Sequence, residues 1–353
     1  GDVSPPPETG TAEPAPADPG VGTQSVRPLA DPAKPEPVVA AWATNKTHLH
    51  KFEFASDPKF PNYVASGTVI GNVKDQFSLD EKDGYLRVAT TENRQYIDSE
   101  GRWTRPLPND PNTGVSPRPD TVNHVFVLGA NGPWLDVVGS TKDLAPNERI
   151  YSVRFLGGRG YVVTFRQVDP LFVIDLNVPQ SPQVLAALKI PGFSEYMHPL
   201  DETHLLTIGR DATNEGRVRG LQLQIFDVTD GANPVLQHKY TYTSDEYGHS
   251  EAEHDHKAFT YFAARNMLAF PYYAYNYSSG DGGMRSSLEL FKVDVNTGFS
   301  KLGSIDHTAL VQNNPGGYCG GYYRPSVRRG VFMENFVYSV SYGGVVVKDA
   351  NNL

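Results

Sequence analysis

Short apolar runs separated by turn-formers recur along the chain from Thr47 onward. The clearest set lies between Glu148 and Pro191, where four runs follow one another: Arg149 to Leu156, Tyr161 to Arg166, Leu171 to Leu176 and Gln183 to Ile190. The breaks are Gly157-Gly158-Arg159-Gly160, Val168-Asp169-Pro170 and Asn177 to Pro182. Aromatic and β-branched residues fill the runs, and none is long enough for an ordinary helix. Runs of this kind predict an antiparallel meander.

One phrase repeats: an apolar strand, a small Asp/Asn/Pro turn, and a second strand. It occurs at 49–69, 124–140, 171–188, 223–242 and 288–305, and opens once more at 344–353. Each copy fits the outer two strands of a four-stranded blade, and the segments between copies fit the inner two. The spacing is within reach of a propeller blade with loop insertions. The fold expected is all-β, a β-propeller portion at 41–353 with four complete blades and two partial ones. The first repeat has no inner pair and the last lacks an outermost strand. The expectation is therefore the C-terminal part of a larger propeller, with an upstream propeller segment or companion chain supplying the missing strands. Residues 1–40, dominated by Pro, Ala, Gly and acidic residues, predict a disordered linker.

Composition narrows the partners. The net charge of −9, without a Lys/Arg cluster, argues against nucleic acid. No apolar run approaches the ~18 residues of a membrane span. Cys319 is the only cysteine, so no intrachain disulfide can form. The chain starts at Gly1, so any signal peptide is lost from view.

The sharpest chemical constellation is His249, Glu251, Glu253, His254, Asp255 and His256. Imidazole and carboxylate together suit a divalent metal such as zinc, copper or calcium. The spacing matches no HExxH motif, which needs a helix. On a strand, His254 and His256 would share a face. The plainer reading makes Asp255 and His256 loop-fixing hydrogen-bonders. Asp-Gly in DEKDG (80–84) reads as a hairpin tip rather than a calcium loop. The carboxylates Glu148, Asp169, Asp175, Asp201 and Asp211 sit mostly at turns, where Asp bonds the backbone. Arg154, Arg166 and Asp169 are candidates for a paired channel lining. Tyr275, Tyr277, Tyr318, Tyr322 and Tyr323, with Tyr272 and Tyr273, suggest two tyrosine-rich loops able to contact a protein or glycan.

Four phrases carry a family resemblance: DQFSLDEKDGYLRVATT (75–91), APNERIYSVRFLGGRGYVVTFRQVDPLFVIDL (145–176), LKIPGFSEYMHPLD (188–201) and DHKAF (255–259). With them the chain resembles secreted proteins that carry a C-terminal β-propeller domain distantly related to WD-40 repeats. The resemblance implies a propeller, export to a periplasmic, surface or extracellular site, and no established activity. The leading expectation is a non-catalytic scaffold for another macromolecule. The alternative is a metal-binding protein or metal-dependent enzyme using the 249–256 cluster.

Overall fold

The computed structural model describes residues 41–54, 59–97, 103–104, 120–141, 143–165, 169–213, 217–242, 247–275, 284–307, 310 and 326–353. The linker expected at 1–40 lies outside them. The predicted runs became strands almost residue for residue. β1 (Ala41–Thr44), β2 (Lys46–Glu53), β3 (Asn62–Ile70), β4 (Leu79–Lys82), β5 (Tyr85–Ile97), β6 (Trp103–Thr104), β7 (Thr121–Asn131) and β8 (Trp134–Ser140) form the first sheet. Within it β4, β5, β7 and β8 pair antiparallel as a complete blade. The β2–β3 hairpin is a partial blade, joined to β8 through the single parallel pair Ser66–Trp134.

The meander at 148–191 is β9 (Arg149–Leu156), β10 (Arg159–Phe165), β11 (Asp169–Asp175) and β12 (Gln183–Ile190). The next blade is β13 (Phe193–Pro199), β14 (His204–Ala212), β15 (Val218–Asp227) and β16 (Val235–Thr241). The fourth complete blade holds β17 (Tyr247–His249) and β18 (Thr260–Phe262), both paired with β19 (Met267–Tyr275), then β20 (Met284–Asp294) and β21 (Gly298–Asp306). The last sheet has three strands, β22 (Val327–Met333), β23 (Phe336–Ser341) and β24 (Gly344–Asp349). Among the described residues four complete and two partial blades are present, as the repeats predict. The DEKDG turn is a hairpin tip with Asp83 and Gly84 both at positive φ, the conformation that Asp-Gly tolerates.

Middle strands such as β14 and β15 are buried along most of their length on both faces, with Thr207, Arg210, Gln222 and Gln224 buried among the apolar residues. Outermost strands such as β16 alternate. Burial is organised between blades. Five separate apolar cores lie one after another, each at a junction of consecutive blades. They run from the β2–β3 hairpin and first blade (Leu49, Ala65, Val88, Leu128) to the last junction (Leu288, Leu290, Ile305, Val337). Among the described residues, β2 pairs only with β3 and β24 only with β23. No described helix is long and apolar enough to cross a membrane.

Candidate functional site

The first strands of successive blades converge on the 3₁₀ turn Gln76–Ser78, which enters the first blade just before β4. Asp75 caps that turn, its Oδ1 accepting from the Phe77 amide at 2.9 Å. The cap fixes Phe77 as a hub. The Arg154 guanidinium, from β9, lies 3.9 Å from its ring centroid and 5.3 Å from that of Tyr196 on β13. Arg154 also donates from Nε to the Met197 carbonyl at 2.9 Å. His256 meets Phe77 edge-on at 5.1 Å, and its Nε2 accepts from the Gln76 side-chain Nε2 at 3.1 Å. Four blades thus touch around one phenylalanine. Arg154, expected in a paired channel lining with Arg166 and Asp169, rests instead on Phe77 and Tyr196. Arg166 lies outside the described residues, and Asp169 is placed only as the first residue of β11.

Beside the hub is a cleft of about 120 Å³ lined by Lys74, Asp75, Glu195, Glu253, His254 and His256, among others. A wider groove of about 490 Å³ lies between the β2–β3 hairpin and β8, with His48, His50, Thr68, Trp134 and Asp136 in its walls.

The His/Glu segment departs from the strand expected for His254 and His256. It forms two 3₁₀ turns, Glu251–Glu253 and His256–Ala258. The cause is local. β17 pairs with β19 up to Tyr273, and β18 resumes opposite Ala269, leaving Phe270, Pro271 and Tyr272 unpaired on that side. Pro271 has no N–H to offer a ladder there. Its carbonyl instead accepts from Ser250 Oγ at 2.6 Å. Ser250 and Glu253 close a capping box: Ser250 Oγ accepts from the Ala252 amide at 3.1 Å, and the Glu253 carboxylate accepts from the Ser250 amide at 2.7 Å.

The members of the cluster then turn to partners on neighbouring blades. Buried Glu253 pairs with Arg210 from β14, Nη2 to Oε2 being 3.0 Å. Burial pushes its carboxyl up to about 7, against the lowering pull of Arg210 and the Ser250 amide. His249 contacts the same guanidinium and stacks on Tyr273 at 5.5 Å. Burial, then Arg210, lowers its pKa. His254 donates to Glu195 of β13 at 3.0 Å, a bond that raises the imidazole pKa. Glu251 pairs with Arg328 at 2.7 Å, and Asp255 with Arg329, both arginines lying on β22. Asp255 also caps the second turn through the Lys257 amide at 2.9 Å. The segment is therefore a clamp joining three blades, and Asp255 fixes loops as the plainer reading holds. Among the described residues, no three His, Cys, Asp or Glu side chains are arranged to hold a metal ion.

The scattered carboxylates do not assemble either. Asp175 and Asp201 accept the amides of Asn177 and Thr203 at 2.9 and 2.7 Å. Glu148 accepts from Thr164, and Asp211 pairs with Lys239, both at 2.5 Å. The tyrosine loops need correction in part. Tyr272 and Tyr273 belong to strand β19, and Tyr272 is buried against Tyr242 with ring centroids 4.5 Å apart. Tyr275 ends that strand, while Tyr277, Tyr318, Tyr322, Tyr323 and Cys319 lie outside the described residues. Sequence reading missed Glu195, Arg210 and Phe77. One signal was available for the turn, since Ser250-Glu251-Ala252-Glu253 is an S-x-x-E capping box.

The family model described as "Beta propeller domain" matches residues 38–353. The chain belongs to this beta propeller domain family. Its curated relatives include an uncharacterized protein of Methanocaldococcus jannaschii, 30% identical over 308 residues, a match covering 86% of this chain and 40% of that protein. A second, from Archaeoglobus fulgidus, is 36% identical over 239 residues, covering 67% of this chain and 32% of the relative. The beta propeller chain thus spans less than half the length of either relative. A solved structure, a hypothetical selenium-binding protein from Sulfolobus tokodaii, aligns over 73% of both chains at 10% identity, with a TM-score of 0.37.

Proposed function

We propose that this beta propeller chain is part of a non-catalytic, secreted or cell-surface scaffold that binds another macromolecule, and that further propeller strands complete it. The observation that carries the reading is the apolar face that, among the described residues, is left uncovered at each partial blade. On the last blade, Val331, Tyr338 and Val347 stand in one cross-strand row and Val340 and Val345 in another. Val331, Val345 and Val347 are 44%, 56% and 45% exposed, and Met333 and Phe336 extend the same face. On the β2–β3 hairpin, Phe52 and Tyr63 pair edge-on at 5.4 Å and both are exposed. Contiguous apolar surface of this kind marks an interaction site. An upstream segment of a longer polypeptide, or a companion chain, supplies the cover. The length of the relatives, of which this chain covers 40% and 32%, supports a longer polypeptide without saying on which side it extends. Export rests on the family resemblance, and a protein or glycan ligand rests on the tyrosine-rich sequences, most of which lie outside the described residues.

Native mass spectrometry of the protein recovered from its source tests this. The expected mass exceeds the 38.8 kDa of this chain, as a longer polypeptide or a bound companion. A lone 38.8 kDa monomer that unfolds cooperatively contradicts the reading. A second reading is the metal-binding alternative, which the cleft beside the hub tests: Glu195, Glu253, His254 and His256 line it, although no three of them are arranged to hold an ion. Metal analysis of the protein and of its His254→Ala variant decides it. Stoichiometric metal lost in the variant supports it, and none in either rejects it.

A further inference from the structure

We propose that the groove at the seam between β3 and β8 is a saccharide-binding site, in which the Trp134 indole carries a sugar ring and Asp136, His48 and His50 hold its hydroxyls. The inference rests on the scaffold reading and deepens it, naming one ligand class and the place where that ligand sits.

Alternation along the strands builds the seam. On β2, Leu49 points into the first core, so His48 and His50 stand together on the opposite face. Their partners on β3, Thr68 and Ser66, share that face. On β8, Leu135 likewise turns into the core, which leaves Trp134 and Asp136 outside. The strands meet where the Ser66 amide donates to the Pro133 carbonyl at 3.0 Å and Ser66 pairs with Trp134. Gly67 permits this approach, since a Cβ there would lie 2.4 Å from the Leu135 carbonyl oxygen. β3 thus has a neighbour on each side. The groove along it holds about 490 Å³, within the ~300–1,000 Å³ of small-ligand sites.

Its walls are oriented and still have bonding capacity. Trp134 is 60% exposed, whereas an indole ordinarily buries most of its large apolar surface. Asp136 Oδ2 accepts from the Asn131 side chain at 2.8 Å, and its Oδ1 has no partner among the described residues. His48 is held at Nδ1 by the Thr68 hydroxyl at 3.0 Å, and its Nε2 is likewise without one. His50 lies beside Tyr63, with ring centroids 6.1 Å apart. Asp136 and His48 are therefore fixed by one bond each and keep another atom for a ligand, which is the preorganisation that binding needs. The cluster beside the hub is the opposite case, because Glu253, His254 and Asp255 are already paired with Arg210, Glu195 and Arg329.

The lining selects the ligand. A pyranose has a face of C–H groups and a rim of hydroxyls that donate and accept. An exposed indole matches the face, while a carboxylate and two imidazoles match the rim. Asp136 and the net charge of −9 disfavour a nucleic acid. The serine, threonine and histidines around Trp134 disfavour a purely apolar ligand.

Isothermal titration of the intact chain with cellohexaose, chitohexaose and mannohexaose tests this, with hexaglycine as the probe for peptide binding. At least one oligosaccharide should bind with a Kd below about 1 mM, and hexaglycine should not. Trp134→Ala should weaken that binding about tenfold or more, Trp134→Phe should weaken it less, and Asp136→Ala should weaken it about tenfold. Both side chains are exposed, and an unchanged Tm shows that the variants fold. The proposal is overturned by no binding of any oligosaccharide at about 10 mM, by binding that survives Trp134→Ala, or by equal binding of hexaglycine. The scaffold reading stands or falls separately, on the mass of the protein recovered from its source.

Discussion

Two buried groups set the behaviour expected at the scale of single residues. His198 sits against Phe259 and Tyr261, with ring centroids 5.5 and 5.4 Å away. Burial, then the nearby Arg154, lowers its pKa to about 4. A folded-state pKa below the unfolded value means that the unfolded chain binds more protons between roughly pH 6.5 and 4. Stability contributed by neutral His198 is therefore present above that window and lost as pH falls through it. Urea unfolding at pH 7 and pH 4.5 should differ by about 2 kcal/mol from this group, and His198→Gln should flatten the slope. An unchanged slope in the variant rules His198 out as its source. The Arg210–Glu253 pair makes a different prediction. Arg210→Met leaves a buried carboxylate without its cation, at a cost of about 3–5 kcal/mol. The double variant Arg210→Met/Glu253→Gln should recover a large part of that loss. Neither residue was legible as a pair in the sequence, because 43 positions separate them. The capping-box spelling was local and could have been read.

At the scale of elements, hairpins were legible and their interruptions were not. Arg149–Leu156 and Gln183–Ile190 appear as predicted because each strand's composition and flanking turns agree. The 250–259 segment does not, since Pro271 across the ladder has no N–H to offer it and the Ser250 and Asp255 caps close two 3₁₀ turns instead. The histidines and carboxylates that look like one site in sequence are thereby turned to partners on other blades, Arg210 and Glu195 on one side and Arg328 and Arg329 on the other. The Gln76–Ser78 turn gives a sharper test. Phe77→Ala removes the ring on which Arg154 and His256 rest, and should cost about 2 kcal/mol, below the usual core range because Phe77 is only half-buried. Asp75→Ala should cost about 1 kcal/mol through the lost cap. Denaturant titration of both variants checks this, and a neutral Phe77→Ala would show that the hub contributes no stability.

The whole molecule is governed by where burial stops. Five cores in series hold the blades together, and each is closed by residues of its two neighbours. The repeat count anticipated this series because inner and outer strand pairs alternate in composition along the chain. It could not anticipate the single parallel contact of the β2–β3 hairpin with β8, which depends on tertiary placement. In an open series, the terminal elements should be the least protected and the middle blades the most. Amide hydrogen exchange on the intact 353-residue chain measures this directly. The account predicts fast exchange along the unpaired edges of β2 and β24, with slow exchange in β10 and β14. Exchange at both edges as slow as in β10 and β14 would show a ring already closed, and would contradict it.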